Sequence, residues 1–212
     1  MAGCCNPIDY RRLFSRKYAS RDARRYRQRG LRATSRALVE LAGDVEDATV
    51  LDVGGGIGAI ELELLAAGAE RATNVELSGG YEEAASALLS ERGLSDRVDR
   101  RVADFVSEGD AVEAHDLVVL HRVVCCYPDV DALMSAAAEH ARKRLVLTYP
   151  QEHLPMRLGL RMINLWLRVS GCGFRTYVHP IARILGAAEA HGLRLERRER
   201  QGFLWESAAL VR

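Results

Sequence analysis

The 212-residue chain is 48% hydrophobic and 28% charged, and its formal net charge is +1. This composition is typical of a globular protein with one substantial core, and it leaves little room for a second full-sized domain. No run approaches the roughly 18 apolar residues of a membrane span, and residues 1–9 lack an apolar core, so we expect neither a membrane span nor a secretory signal.

The cysteines are five in number, an odd count that predicts free thiols and a cytoplasmic location. They are Cys4, Cys5, Cys125, Cys126 and Cys172. Neither adjacent pair has the C-x-x-C spacing of zinc sites, so we predict no bound metal. An alternative is that thiolates from both adjacent pairs converge on a thiophilic metalloid.

The N-terminal segment is strongly basic. Residues 10–32 contain nine arginines and one lysine against a single acid, Asp22. One or two helices are predicted over residues 10–29, with aromatic residues between the arginines, and another over 34–41. We predict that residues 1–35 form a basic helical lid over a ligand site. A solvated helix packed by its aromatic residues, or a surface for an acidic partner, are the alternatives.

From residue 48 onward, strands alternate with helices, which predicts βαβ units and a parallel sheet with right-handed crossovers. The apolar run 116–121 predicts a central strand. The predicted strands are 48–53, 72–77, 97–103, 116–121 and 143–149, and the predicted helices are 59–67, 81–92 and 130–141.

After Pro150 the alternation stops. A helix carrying several arginines is predicted over 154–170, and residues 154–178 form a predicted insertion in a domain that spans 36–212. A helix over 180–190 and a closing β-hairpin, with strands 192–201 and 203–211, complete the chain.

A glycine-dense loop follows the first predicted strand, and the acid Asp52 stands just before it. Gly54, Gly55, Gly56 and Gly58 allow backbone conformations and close ligand approach that side chains would prevent. The following helix N-terminus favours an electron-rich group. The loop therefore predicts a nucleotide-like ligand.

Polar residues end the next strands as well. Glu76 follows Gly54 at the spacing expected for an acid on ribose hydroxyls, and it would repel a 2′-phosphate. The pairs Asp104-Phe105 and His121-Arg122 end the third and fourth strands. Because the carboxyl ends of parallel strands meet at one edge, these residues are predicted to surround one ligand.

In this combination of motifs the chain resembles the class I S-adenosylmethionine-dependent methyltransferases. The resemblance implies a doubly wound, mostly parallel seven-stranded α/β sheet with an antiparallel C-terminal hairpin. It also implies that S-adenosylmethionine is the cofactor, with its methionine end at the glycine loop, its ribose at Glu76 and its adenine at Asp104 and Phe105. The implied cofactor-binding residues are Asp52, Gly54, Gly55, Gly56, Gly58, Glu76, Leu77, Asp104, Phe105 and His121.

A narrower resemblance is to the magnesium-protoporphyrin O-methyltransferase group. It is carried by the aromatic and basic N-terminal segment, the Tyr127-Pro128 pair, the insertion after the fifth strand and the tail around Trp205. Tyr18 falls where that group has an N-terminal tyrosine. The group's histidine before Tyr-Pro is Cys126 here, which implies a relative with a different acceptor.

Four residues are candidates for chemistry at the acceptor: Tyr18, His121, Cys126 and Tyr127. A histidine with a near-neutral pKa could act as a general base, although His121 could equally hold the cofactor or a loop by a hydrogen bond. The tyrosines could orient the acceptor or simply pack. Cys126 could contact the acceptor or be an inert buried thiol.

The predicted function is methyl transfer to a small molecule, hydrophobic or carboxylate-bearing, at oxygen or another heteroatom. The alternatives are a cofactor-binding protein of this fold without transferase activity, or a thiol or metalloid methyltransferase using the cysteines. A nucleic-acid substrate is disfavoured, because the chain lacks an Asn/Asp-Pro-Pro-Tyr-like motif after the fourth strand. The sequence makes no prediction of the oligomeric state.

Overall fold

A computed structural model describes residues 10 and 13–212 of the chain, except for the side chain of Asp110. Its centre is a seven-stranded sheet of order β3-β2-β1-β4-β5-β7-β6. The first five strands are parallel, and β7 runs antiparallel to both β5 and β6. The strands are β1 (Thr49–Val53), β2 (Arg71–Glu76), β3 (Val98–Val102), β4 (His115–His121), β5 (Ala141–Pro150), β6 (Arg194–Gln201) and β7 (Trp205–Val211). The predicted doubly wound fold class is confirmed.

Helices cover both faces of the sheet, because alternate strand residues point to opposite sides. On one face, α6 and α8 pack on Leu120 and Leu147; on the other, α2 and α3 pack on Val119 and Val146. The helices are α1 (Arg16–Arg29), α2 (Ala33–Ala42), α3 (Ala59–Ala66), α4 (Glu82–Arg92), α5 (Phe105–Glu108), α6 (Val130–His140), α7 (Leu154–Val169) and α8 (Ile181–Glu189).

Most predicted elements occur with small shifts of their ends. The sequence predicted no helix at α5, which begins where the Asp104 side chain accepts a hydrogen bond from the Val106 N–H, an ordinary N-cap. β5 starts at Ala141, directly after α6. None of the helices in the described part of the chain is long and apolar enough to cross a membrane.

The N-terminal helix α1 packs along α4 through Ala19, Ala23 and Tyr26. Helix α7, in contrast, buries only Met156 and Leu167. The predicted lid and insertion meet at a cluster in which Leu167, Cys172 and Phe174 contact Tyr10, Leu13, Phe14 and Cys126. Both segments therefore border the carboxyl edge of the sheet.

Candidate active site

A cavity of about 310 Å³ opens at the carboxyl ends of β1, β2 and β4. This edge is where open α/β sheets bind their ligands. With the exception of Gly58, every residue that the sequence predicted for the site lines this cavity. These residues are Tyr18, Asp52, Gly54, Gly55, Gly56, Glu76, Leu77, Asp104, Phe105, His121, Cys126 and Tyr127.

Two glycines of the loop show why larger residues are excluded there. A Cβ on Gly55 would lie 2.3 Å from the Asn74 Nδ2 and 2.5 Å from the Asp52 Oδ2. Gly58 has φ of +76°, and a Cβ there would lie 2.1 Å from the Glu61 Oε1. The loop thus lies directly on buried polar side chains, and α3 begins immediately after it.

The Glu76 carboxylate joins the glycine loop to the turn after β2. Its Oε2 accepts a hydrogen bond from the Gly56 N–H at 3.0 Å, and its Oε1 accepts one from the Ser78 N–H at 2.9 Å. Burial raises the pKa of Glu76, and the two backbone hydrogen bonds partly oppose that rise. Each carboxylate oxygen retains a further lone pair that can accept from a ligand hydroxyl.

Beneath the loop lies a buried polar network that the sequence did not predict. Glu61 is completely buried; its Oε2 accepts from the Asn74 amide at 2.6 Å, and its Oε1 lies 3.4 Å from an Arg100 nitrogen. Arg100 also donates to the Gly56 carbonyl at 2.9 Å and pairs with Glu82 at 2.9 Å. The sequence signal for this network was Glu61, a charged residue in the otherwise apolar first turn of α3.

Asp52 is buried beside this network, and neither carboxylate oxygen has a hydrogen-bond partner among the described residues. Burial raises the pKa of Asp52 well above its usual range, and the Glu61 carboxylate raises it further. Arg100 opposes the shift. An unpartnered carboxylate under a glycine loop is suited to a cationic ligand group.

Replacing Asp52 by asparagine is expected to stabilise the ligand-free protein. Because the folded-state pKa of Asp52 is raised, its ionisation costs folding free energy that is absent at low pH and accumulates as the pH rises. We expect the Asp52→Asn variant to gain about 1–3 kcal/mol of unfolding free energy at neutral pH and little near pH ~4. Urea unfolding at both pH values measures this gain. The exposed Asp96→Asn is the control, and equal gains at both pH values would contradict the electrostatic explanation.

Asp104 supplies a second unpartnered acceptor at the other end of the cavity. Its Oδ1 accepts from the Val106 N–H at 3.2 Å and the Tyr127 hydroxyl at 3.3 Å, whereas its buried Oδ2 has no partner in the described chain. Phe105 lines the cavity and packs against the His140 ring at 5.1 Å. The Tyr127 hydroxyl is thus hydrogen-bonded to Asp104, the residue at which the sequence predicts the adenine.

His121 is held at both ring nitrogens. Its Nε2 lies 3.1 Å from the Ser35 hydroxyl and its Nδ1 lies 3.4 Å from the Thr148 hydroxyl. Burial, followed by the positive charges of Arg122 and Arg32, lowers the pKa of His121 to about 3. A neutral imidazole with this pKa is a weak proton acceptor at neutral pH, so the geometry suits a positioning role better than general-base catalysis.

Arg122, directly after β4, is one of three described arginines that line the cavity. It has φ of +60°, stacks on the Trp205 ring at 4.5 Å and donates to the Thr34 hydroxyl at 3.0 Å. Its Nε is buried without a hydrogen-bond partner, and no carboxylate of the described residues pairs with it within 4.0 Å. Burial lowers the pKa of Arg122.

Aromatic rings form one wall of the cavity. Phe14 lies 6.2 Å from Tyr18 and 6.4 Å from Tyr81, and the Tyr10 hydroxyl donates to the Cys126 carbonyl. The Ser78 hydroxyl donates to the Phe14 carbonyl at 2.7 Å, which joins the N-terminal segment to the turn after β2.

The thiols of Cys125 and Cys126 lie 3.6 Å apart, and both donate to the Arg122 carbonyl. Cys4 and Cys5 lie outside the described residues. Among the residues that the structure describes, no group of three or more His, Cys, Asp or Glu side chains could hold a metal.

Comparison with protein families agrees with this geometry. Residues 22–197 match the methyltransferase domain family Methyltransf_23. The chain belongs to this methyltransferase family. The match spans the glycine loop, the Glu76 and Asp104 strand ends and α7, and it confirms the predicted enzyme class. Comparison of this methyltransferase with curated proteins finds no match.

Solved methyltransferase structures share the fold. Magnesium protoporphyrin IX methyltransferase from Synechocystis PCC 6803, with bound SAH, is 20% identical and has a TM-score of 0.67, with 97% of this chain and 93% of that chain covered. An O-methyltransferase family protein from Burkholderia thailandensis is 17% identical with a TM-score of 0.72, covering 93% and 59%. Geranyl diphosphate C-methyltransferase from Streptomyces coelicolor A3(2) is 15% identical with a TM-score of 0.68, covering 85% and 78%.

Proposed function

We propose that this methyltransferase binds S-adenosylmethionine along the cavity and transfers its methyl group to a small carboxylate-bearing acceptor. Three features of the chain fit the cofactor. The unpartnered Asp52 suits the cationic methionine end, Glu76 can accept from two ribose hydroxyls, and the free Asp104 Oδ2 suits the adenine amino group. The Synechocystis structures, which share the fold and contain bound SAH or SAM, support this choice of cofactor.

The observation that carries the acceptor class is Arg122. Arg122 lines the cavity together with the aromatic residues Tyr10, Phe14 and Tyr18, and its buried Nε has no hydrogen-bond partner among the described residues. A partly buried guanidinium that makes no ion pair with a described carboxylate favours a carboxylate ligand, and the aromatic wall favours an apolar body. Arg32 also lines the cavity, where it pairs with Asp22 at 3.1 Å.

The cofactor supplies an electrophilic methyl group, and the chain's own residues position the acceptor and exclude water. Positioning of this kind can lower a barrier by several kcal/mol. Arg122 would hold the acceptor carboxylate, while the rings of Phe14 and Tyr18 cover its apolar part. His121, bonded to Ser35 and Thr148, would fix the end of β4 next to Arg122.

The function is tested by the release of S-adenosylhomocysteine in the presence of small aromatic and aliphatic acids and their matched amides. We expect turnover of acids and not of amides, and we expect Arg122→Met to lower kcat/KM for the best acid by about 100-fold. Arg122→Lys, which retains the charge, should recover part of this loss. Calorimetric binding of S-adenosylhomocysteine to both variants controls for the cofactor site.

Turnover of the amides as efficiently as the acids would overturn the carboxylate assignment. The same panel includes a simple alkyl thiol and arsenite. Methylation of arsenite would favour the alternative in which Cys126, a cavity-lining residue whose thiol lies 3.6 Å from that of Cys125, receives a thiophilic metalloid, and methylation of the alkyl thiol would favour a thiol acceptor.

A further inference from the structure

Helix α7 carries an apolar surface that no described part of the chain covers. Six large side chains on it are between 54% and 80% exposed. At 3.6 residues per turn they fall within an arc of about 120°, on the side opposite the buried Met156 and Leu167. These six residues, which we call the outer face of α7, are Leu154, Leu158, Met162, Leu165, Trp166 and Val169.

Positive charge runs along one flank of this outer face. Arg157, Arg161 and Arg168 fall within about 40° of one another beside the apolar arc, and all three are exposed. The helix contains no acidic residue. Arg157 pairs with Glu152 at 2.5 Å, whereas Arg161 and Arg168 make no ion pair with the described acidic residues.

The apolar surface continues from the N-terminus of α7 onto the tip of the β6–β7 hairpin. His153 caps α7 by accepting from the Met156 N–H at 3.1 Å, and its Nε2 lies 2.8 Å from the Phe203 carbonyl. Phe203 and Leu204 are 65% and 50% exposed. Two separate elements thus present large apolar side chains at one edge of the molecule.

We propose that the outer face of α7 and the hairpin tip dock this methyltransferase on an anionic lipid bilayer surface. An apolar arc with tryptophan, flanked by arginines, is the pattern of helices that lie in the membrane interface. The helix is about 24 Å long, so it lies along the surface. The charge distribution decides against a second copy of the chain, because another α7 offers no carboxylate to Arg161 and Arg168.

Docking in this orientation brings the bilayer close to the cavity. The buried Leu167 of α7 packs with Phe174, whose ring lies 5.1 Å from Tyr10 and 5.8 Å from Phe14 on the cavity wall. An apolar acceptor dissolved in the bilayer would therefore meet the enzyme on the side of its aromatic wall. This docking proposal is independent of the carboxylate proposed for the acceptor, because it rests on α7 and the hairpin tip alone.

Cosedimentation of the full-length protein with vesicles tests the proposal. We expect binding to vesicles of phosphatidylcholine and phosphatidylglycerol in equal parts, and weak binding to phosphatidylcholine alone. Leu165→Glu/Trp166→Glu and, separately, Arg161→Glu/Arg168→Glu should each reduce binding at least ~10-fold. Arg71→Glu/Arg142→Glu makes the same charge change on exposed residues at the opposite edge of the sheet and should leave binding unchanged.

All variants should bind S-adenosylhomocysteine like the parent, which separates failure of this proposal from failure of the proposed function or of folding. No binding to anionic vesicles, equal binding to neutral vesicles, or unchanged binding of the α7 variants would overturn the proposal. A dimer in sedimentation velocity that dissociates in Leu165→Glu/Trp166→Glu, without vesicle binding, would replace it with self-association.

Discussion

Glu76→Ala is expected to raise the Kd for S-adenosylhomocysteine about 100-fold. The substitution removes the acceptor of two backbone donors, the N–H groups of Gly56 and Ser78, and it also removes the proposed ribose contact. Each buried donor left without a partner costs about 1–3 kcal/mol. The glycine loop and the turn after β2 therefore lose the group that joins them, and calorimetric titration measures the combined loss of affinity.

Two further variants make this result specific. Glu76→Gln keeps the side-chain volume but retains only one acceptor oxygen, so its loss of affinity should be smaller. Glu83→Ala removes an exposed acid from the nearby α4, where it pairs with Arg16 at 3.7 Å, and should leave the affinity unchanged. Unchanged affinity in both Glu76 variants would remove Glu76 from the proposed ribose site.

Arg100→Met is expected to lower the free energy of unfolding by about 3–5 kcal/mol. The Arg100 and Glu61 side chains are 7% and 0% exposed, so removing the guanidinium leaves a buried carboxylate without its counter-charge. The carbonyl of Gly56 also loses a donor. Urea unfolding followed by circular dichroism measures the loss.

The double variant Arg100→Met/Glu61→Gln should recover part of that stability, because the neutral amide no longer needs a cation. Arg101→Met, at a partly exposed residue of the same strand, is the control; its ion pair with Asp99 is on the surface and is worth about 0–1 kcal/mol. If the double variant were as unstable as the single one, the loss would come from packing and not from the unpaired carboxylate.

The predictable part of the site follows from sheet geometry. Asp52, Glu76 and Asp104 each end or follow a strand, and parallel strands bring those ends to one edge. Their side chains could therefore be assigned to one cavity from the sequence. The glycine loop was equally visible, because a dense run of glycines between a strand and a helix indicates a close approach of ligand to backbone.

The rest of the site could not be predicted, because it depends on how deeply side chains are buried and on contacts between segments that are distant in the sequence. Arg100 is one of three consecutive charged residues on the edge strand β3, a composition that is typical of a solvated strand, yet its side chain reaches under the glycine loop to Glu61. His121 has the residue type of a general base, but Ser35 and Thr148 hold both of its nitrogens. Neither partner is near His121 in the sequence, so no local pattern indicates the low pKa.

Ser78 forms hydrogen bonds to two parts of the enzyme. Its backbone N–H binds the carboxylate of Glu76, and its hydroxyl binds the carbonyl of Phe14 in the N-terminal segment. Ser78 is completely buried, and its hydrogen bond to Glu76 is buried as well. The proposed ribose site at Glu76 and the aromatic wall at Phe14 are thereby joined through a single residue. If cofactor binding at Glu76 changes the affinity for the acceptor, thermodynamic reciprocity requires the acceptor to change the affinity for the cofactor by the same factor.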